Sequence, residues 1–384
     1  MRTVLVLGGY GAFGNLVARN LARSKDLKIL IAGRDGAKAT LAAHEIQIQT
    51  ETKALLAGSK CNAINCTPND LNELGVNLIV NASGPFQNQN YDLARAAISA
   101  RCHYVDLADD RHFVTGINAV DREAKKVGVS IISGASSVPG LSSAVIAHQA
   151  RRYNKISKVE IGISPGNSFT PGLATTRSIL GSIGKPFNCL ISNEQETLYA
   201  WHDVEQHSFP SFGTRQMSSV DVPDLELIPQ HYPSLETIRF RAGLELKPLH
   251  MVMVTASKLV AAHVLPSVAL FARPAHAIKR ALEFLGTDEG GMFVETTGTM
   301  KNGKTSTATW HLVATKGDGP YIPTLASAIL TRALLGLEPG AKTTLNPGAY
   351  PCMNLFTLKK FETEISNLSL NIKCVEASKG AKAT

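Results

Sequence analysis

The residues with the clearest chemical purpose are Gly9-Tyr10-Gly11-Ala12-Phe13-Gly14. Three glycines spaced G-x-G-x-x-G, after the apolar run Val4–Leu7 and ahead of a helix-forming stretch, suit the binding of a diphosphate. Gly9 permits a tight turn. Gly11 lets the backbone approach the phosphates, and Gly14 lets the helix lie close to the strand. The N–H groups and dipole of the helix N-terminus then face the anion. A dinucleotide cofactor is the ligand such a turn holds.

A second group bears on which dinucleotide. The next strand ends Ala32-Gly33-Arg34-Asp35. Sites that prefer NAD place an acid about 20 residues after the glycines, on the ribose 2′-hydroxyl. Here arginine comes first, and a planar guanidinium suits a 2′-phosphate. NADP is favoured on that ground, while Asp35 keeps NAD open.

Three further strand ends carry polar or turn residues: Asn81-Ala82-Ser83-Gly84-Pro85-Phe86, Tyr104-Val105-Asp106-Leu107, and the run from Ser133 to Leu141. Open α/β sheets bind ligands at the carboxyl ends of their strands. A Tyr-x-x-x-Lys pair, a G-x-S-x-G elbow and an H-E-x-x-H motif are all absent. Together with the glycine turn and Gly33-Arg34, these strand ends make residues 1–150 resemble the saccharopine dehydrogenase-like (saccharopine reductase-like) family of NAD(P)-dependent oxidoreductases. The Gly84-Pro85-Phe86 ending is the most specific element. Thinner matches continue through Val222–Leu225, Trp310-His311-Leu312 and Gly319–Pro323.

The resemblance implies hydride transfer between a nicotinamide and a C–N bond, an imine being reduced to a secondary amine in a small amino-acid-like substrate. Ala82, Ser83, Gly84, Pro85 and Phe86 would then border the cofactor's ribose and nicotinamide. Asp106, Asp109 and Tyr321 are the candidate proton-handling groups. Each has a plainer reading: Asp106 as a loop cap, Asp109 as a solvated charge, Tyr321 as a packing residue in a proline-flanked turn. A dinucleotide-binding regulatory protein without turnover and a membrane-linked reductase stand as alternatives.

The elements that must position these residues follow from periodicity. Strands at Thr3–Leu7, Lys28–Ala32, Asn77–Ala82, His103–Leu107 and Val129–Ser133 alternate with helices at Ala12–Ser24, Gly36–Ile46, Tyr91–Ala100 and Val120–Val127. A weak strand is expected near Ala63–Cys66, and a helix from Asn69. Regular βαβ alternation predicts a Rossmann-type doubly wound parallel sheet in residues 1–150. The pattern then changes. Lys158–Ser164 and Thr237–Leu246 alternate polar with apolar, and Met292–Thr299 and Thr305–Ala314 flank the hairpin dipeptide Asn302-Gly303. Residues 151–345 are therefore expected to form an α+β substrate or dimerisation domain on a largely antiparallel sheet. Residues 346–384 would return to the first domain, with a frayed tail from Ser378.

Bulk properties narrow the partners. The chain is 44% hydrophobic and 18% charged, with net charge +8. Its basic residues cluster only as pairs, such as Lys125-Lys126 and Lys359-Lys360, which argues against nucleic acid. The six cysteines show neither CxxC nor zinc-site spacing, so reduced thiols and no metal are expected. The apolar start runs into a glycine turn and reads as a strand, not a secretory signal, which suggests a cytoplasmic protein. Met251–Phe271 is long enough to span a bilayer but contains Lys258, His263 and Pro266. It reads as a buried or interfacial helix, open to peripheral membrane contact over 251–271 or to a homodimer interface.

Overall fold

The computed structural model describes residues 1–50, 52–337 and 345–380. Residues 1–133 hold strands β1 (Arg2–Leu7), β2 (Leu27–Gly33), β3 (Leu55–Lys60), β4 (Leu78–Asn81), β5 (His103–Asp106) and β6 (Ser130–Ser133). Between them run helices α1 (Ala12–Leu21), α2 (Gly36–Gln49), α3 (Pro68–Glu73), α4 (Asp92–Ser99), α5 (Arg111–Thr115) and α6 (Asp121–Val127).

The middle stretch adds helices α7 (Ser142–Ala150), α8 (Leu173–Ser182), α9 (Asp224–His231), α10 (Lys247–Ala261) and α11 (Ala272–Ala281). Its strands are β7 (Tyr153–Ser164), β8 (Pro186–Ile191), β9 (Glu194–Tyr199), β10 (Glu205–Phe209), β11 (Gly213–Ser219), β12 (Thr237–Ala242), β13 (Gly290–Met300) and β14 (Thr305–Ala314). The chain closes with α12 (Ile322–Leu334), β15 (Gly348–Pro351), α13 (Leu358–Leu368) and β16 (Ile372–Gly380).

Two compact units result: residues 1–141 with 320–356, and residues 142–319 with 357–384. The segments interleave, where the sequence suggests consecutive blocks. Residues 320–356 lie in the first unit because α12 packs on α1 and β15 extends the sheet beside β6. Residues 357–384 lie in the second, where β16 pairs with β14.

The first unit is a Rossmann-type doubly wound sheet of order β15-β6-β5-β4-β1-β2-β3, with every pair parallel. Side chains alternate between two buried faces. Leu5, Leu7, Ile79, Tyr104 and Ile131 join a core with Ala97 of α4 and Ala124 of α6. The alternate residues Val4, Val6, Ile29 and Val105 are equally buried. Helices α1 and α12 pack together, and both also contact strands of the sheet. The order reverses at β1, which pairs with β2 on one side and β4 on the other. That switch point opens a crevice at the carboxyl edge.

Strand β3 occupies Leu55–Lys60, not Ala63–Cys66. As the edge strand it is only partly covered, so no alternating pattern marks it. Cys61–Cys66 instead form the loop beyond it.

The second unit is built on a sheet of order β10-β11-β12-β7-β13-β14-β16. It is largely antiparallel, with β12 and β7 as a parallel pair. Asn302-Gly303 turns the β13–β14 hairpin, with Gly303 at φ +79. The tail differs from expectation. Ser378–Gly380 pair with Ser306–Ala308 as strand, because an exposed β14 edge offers them a ladder. Residues 381–384 lie outside the described residues. Met251–Phe271 is not one helix, since α10 ends at Ala261 and a short 3₁₀ turn follows at Ala269–Phe271.

Candidate dinucleotide site

At the carboxyl edge of the first sheet, β1 ends at Leu7 and the chain turns through Gly8-Gly9-Tyr10-Gly11 into α1. The left-handed backbone falls on Gly8, at φ +71, where a Cβ would stand 2.9 Å from the Ala82 carbonyl oxygen. Only glycine serves there, and Gly8 is absent from the sequence-based candidates. Gly14 is equally constrained: a Cβ would come 2.3 Å from the Gly8 carbonyl oxygen, so the helix lies directly on the turn. Gly11 differs. A Cβ there would meet only the Gly8 carbonyl oxygen, at 3.0 Å, and would otherwise project into open space. Gly11 is exposed and stands at the N-cap of α1 without a side-chain cap. The first-turn N–H groups of an α-helix lack intrahelical partners. An open cradle beside a helix N-terminus fits a diphosphate. Ala12 and Phe13 open the helix and are half-buried.

Tyr10 joins this turn to the end of β2. Its hydroxyl accepts from the Asp35 N–H at 3.2 Å, and its ring covers Gly33 so closely that a Cβ there would be 2.4 Å from the ring. Arg34 follows and is exposed. The Asp35 carboxylate is engaged elsewhere. It accepts from the Lys38 N–H at 3.1 Å as the N-cap of α2, and lies 3.8 Å from the Lys38 ammonium.

Beside Arg34 is a cavity of about 450 Å³. Lys60 from the end of β3 supplies a second cation, and Asn62 and Asn65 supply amides. Cys61, Cys66 and Asp70 complete the lining. A hydrogen bond from Cys66 lowers the Cys61 thiol, while the same contact and burial raise Cys66. Lys60, Asn62 and Asn65 were missed at the sequence level. A correct placement of β3 would have put Lys60 at the same sheet edge as Arg34.

On the other side of the crevice, Asn81 organises the chain leaving β4. Its carbonyl oxygen accepts from the Ser83 N–H at 3.1 Å and from the Ser83 hydroxyl, and its amide donates to Tyr104 at 3.1 Å. Ala82, Ser83, Gly84 and Pro85 are partly exposed beside the Gly8 turn. Phe86 turns inward, 4% exposed, with its ring 5.3 Å from that of Phe113.

The candidate proton-handling groups separate. Asp106 is fully buried. One of its oxygens accepts from Ser133 Oγ at 2.9 Å, the Gly134 N–H at 2.8 Å and the Ala108 N–H at 3.0 Å. Burial raises its pKa to about 6 against those donors. It pins β5 to β6 and faces no open space. Asp109 lies just beyond β5 and is exposed. Crowding of its carboxyl and the charge of Asp110 push its pKa upward. Tyr321 is half-buried at the N-cap of α12. The far end of that helix is fixed by Arg332, which donates to Asn20 Oδ1 at 2.6 Å and Ser24 Oγ at 2.9 Å below the end of α1. The two helices therefore run the same way, so α12 starts toward the carboxyl edge of the sheet. Among the described residues no cluster of three or more His, Cys, Asp or Glu is arranged to hold a metal.

The second unit contains a separate polar cluster. His207 Nε2 lies 3.2 Å from His311 Nε2, and its ring stacks on Phe293 at 3.5 Å. Burial and His311 lower the His207 pKa to about 4. Arg241, a polar residue of the alternating strand β12, is nonetheless 4% exposed and ion-paired with Glu160 and Glu205.

Known proteins fit this geometry. Residues 4–133, which is 130 of 384, match the model for the saccharopine dehydrogenase NADP binding domain. No curated protein sequence matches the chain. Among solved structures, it is similar to apo saccharopine dehydrogenase (L-Glu forming) from Saccharomyces cerevisiae, at TM-score 0.67 and 13% identity over 98% of this chain and 100% of that one. It is also similar to homospermidine synthase from Legionella pneumophila in complex with NAD, at TM-score 0.55 and 9% identity over 97% and 91%. Identities this low speak for the fold alone. Residues 4–133 thus match the NADP binding domain of saccharopine dehydrogenase, within a chain whose fold is similar to that of saccharopine dehydrogenase.

Proposed function

We propose that the protein is an NADP-dependent oxidoreductase acting on a C–N bond of a small amino-acid-like substrate. One observation carries the cofactor assignment: Arg34 and Lys60 face one cavity, while Asp35 is committed to capping α2. Two cations suit a 2′-phosphate, and an acid bound to a helix terminus is withdrawn from a ribose hydroxyl. The diphosphate would lie over Gly11 and the first turn of α1. Ala82–Pro85 would border the ribose and nicotinamide.

When bound, the reduced cofactor supplies a hydride, here to an imine carbon. The imine nitrogen then needs a proton. Asp109 and Tyr321 are the candidate donors. Asp106 is a positioning residue: it fixes Ala108, next to Asp109, and the start of Gly134–Leu141. The resemblance to saccharopine dehydrogenase supports an amino-acid-like substrate.

The test is NADPH consumption with a panel of amines and 2-oxo acids, with products read by mass spectrometry. The proposal expects turnover only when both partners are present, yielding a secondary amine. An alcohol formed from the carbonyl alone would overturn the C–N assignment. Tight NADPH binding without turnover would mark a binding protein instead.

A further inference from the structure

Among the described residues no helix is long and apolar enough to cross a membrane. Yet seventeen large hydrophobic side chains are exposed, and nine fall between Met251 and Leu285. Leu270 is 83% exposed, Phe284 80% and Val264 66%. Contiguous exposure of this kind marks an interaction surface.

The helices there are built for one. One face of α10 is anchored: His250 meets Ser218 Oγ at 2.9 Å, and Ser257 donates to the Ala200 carbonyl at 2.8 Å. The opposite face exposes Lys247, Met251, Val252, Lys258 and Leu259, at helical spacing. Helix α8 has no buried residue, and α11 has only Ala272. Helices α8 and α11 pack on each other with almost no core of their own, which leaves apolar surface for something else to cover.

Charge selects the occupant. Residues 247–285 expose Lys247, Lys258, Arg273 and Arg280, while Lys279 donates to the Asn167 and Phe169 carbonyls; the single acid there is Glu283. A two-fold dimer would set this basic patch against itself, because an isologous interface pairs identical surfaces. An anionic bilayer meets both properties, taking the apolar side chains into the headgroup boundary and attracting the cations. We propose that α10, the turn at Leu270-Phe271 and α11 form a peripheral docking surface for anionic phospholipid membrane. The expected homodimer through Val252–Phe271 is the competing use of the same surface.

The full chain is sedimented with vesicles of phosphatidylcholine alone, or of phosphatidylcholine mixed with phosphatidylglycerol. Binding should require the anionic lipid and weaken at high salt, since ions screen the attraction. The exposed double variants Leu270→Glu/Phe271→Glu and Lys258→Glu/Arg273→Glu should each lose about tenfold or more in vesicle affinity while retaining NADPH binding. The proposal is overturned by failure to bind, by equal binding to both lipids, or by variants that bind like the parent. Concentration-dependent dimers abolished by Leu270→Glu/Phe271→Glu, without vesicle binding, would assign the surface to self-association.

Discussion

Single residues decide the site, and their substitutions should separate cleanly. Gly11→Val should abolish dinucleotide binding while the fold survives, since its side chain enters open space beside the turn. Thermal melting with and without NADPH reads both effects; retained affinity would mean the diphosphate lies elsewhere. Asp106 gives a pH signature. Its folded pKa of about 6 exceeds the 3.8 of an ordinary aspartate, so the folded state holds the proton to higher pH than the unfolded chain. Its ionisation therefore costs nothing below about pH 3.8 and grows to roughly 3 kcal/mol above pH 6. Asp106→Asn keeps an acceptor for Ser133, Gly134 and Ala108. It should match the parent near pH 4 and exceed it in stability at neutral pH. Asp106→Ala strands those donors and should lose about 2–4 kcal/mol at either pH. Denaturant titration at both pH values tests the pair. The glycine spacing and Arg34 were legible because their chemistry is local. Gly8 was not, since its need for glycine comes from Ala82, more than seventy residues away.

At the scale of elements, the contact between the β1 turn and the end of β2 is the least forgiving. Gly33→Ala should cost about 1–3 kcal/mol, because the new Cβ displaces the Tyr10 ring. A Tyr10→Ala background should remove most of that cost; an undiminished penalty would show that the strain lies elsewhere. The β10–β14 contact gives a second pH effect. His207 has a folded pKa near 4 against 6.5, so it stays neutral in the fold after the unfolded chain has taken up a proton. Stability present above pH 6.5 is lost as pH falls toward 4, by about 1–2 kcal/mol after screening of a partly exposed ring. His207→Phe should flatten melting temperature over that window. Elements with clean periodicity, such as β1, β4 and the β13–β14 hairpin, could be read directly. Edge strands could not: β3 lacks an alternating pattern, and β16 looks like a polar tail until β14 supplies its ladder.

For the whole molecule, the class of each unit was readable and the path of the chain was not. Strand–helix alternation implies the doubly wound sheet. Nothing local announces that Pro320–Phe356 rejoins it or that β16 leaves again. That return brings Tyr321 to the carboxyl edge, so the proposed chemistry depends on topology that pattern alone does not reveal. The proposed chemistry turns on the cofactor preference. Its most direct measurement is the affinity of NADPH and NADH for the parent protein and for Arg34→Ala, read by quenching of intrinsic fluorescence. The parent should prefer NADPH. Loss of the guanidinium should weaken NADPH by about tenfold to a hundredfold and leave NADH nearly unchanged. Equal weakening of both, or a parent that prefers NADH, would contradict the assignment.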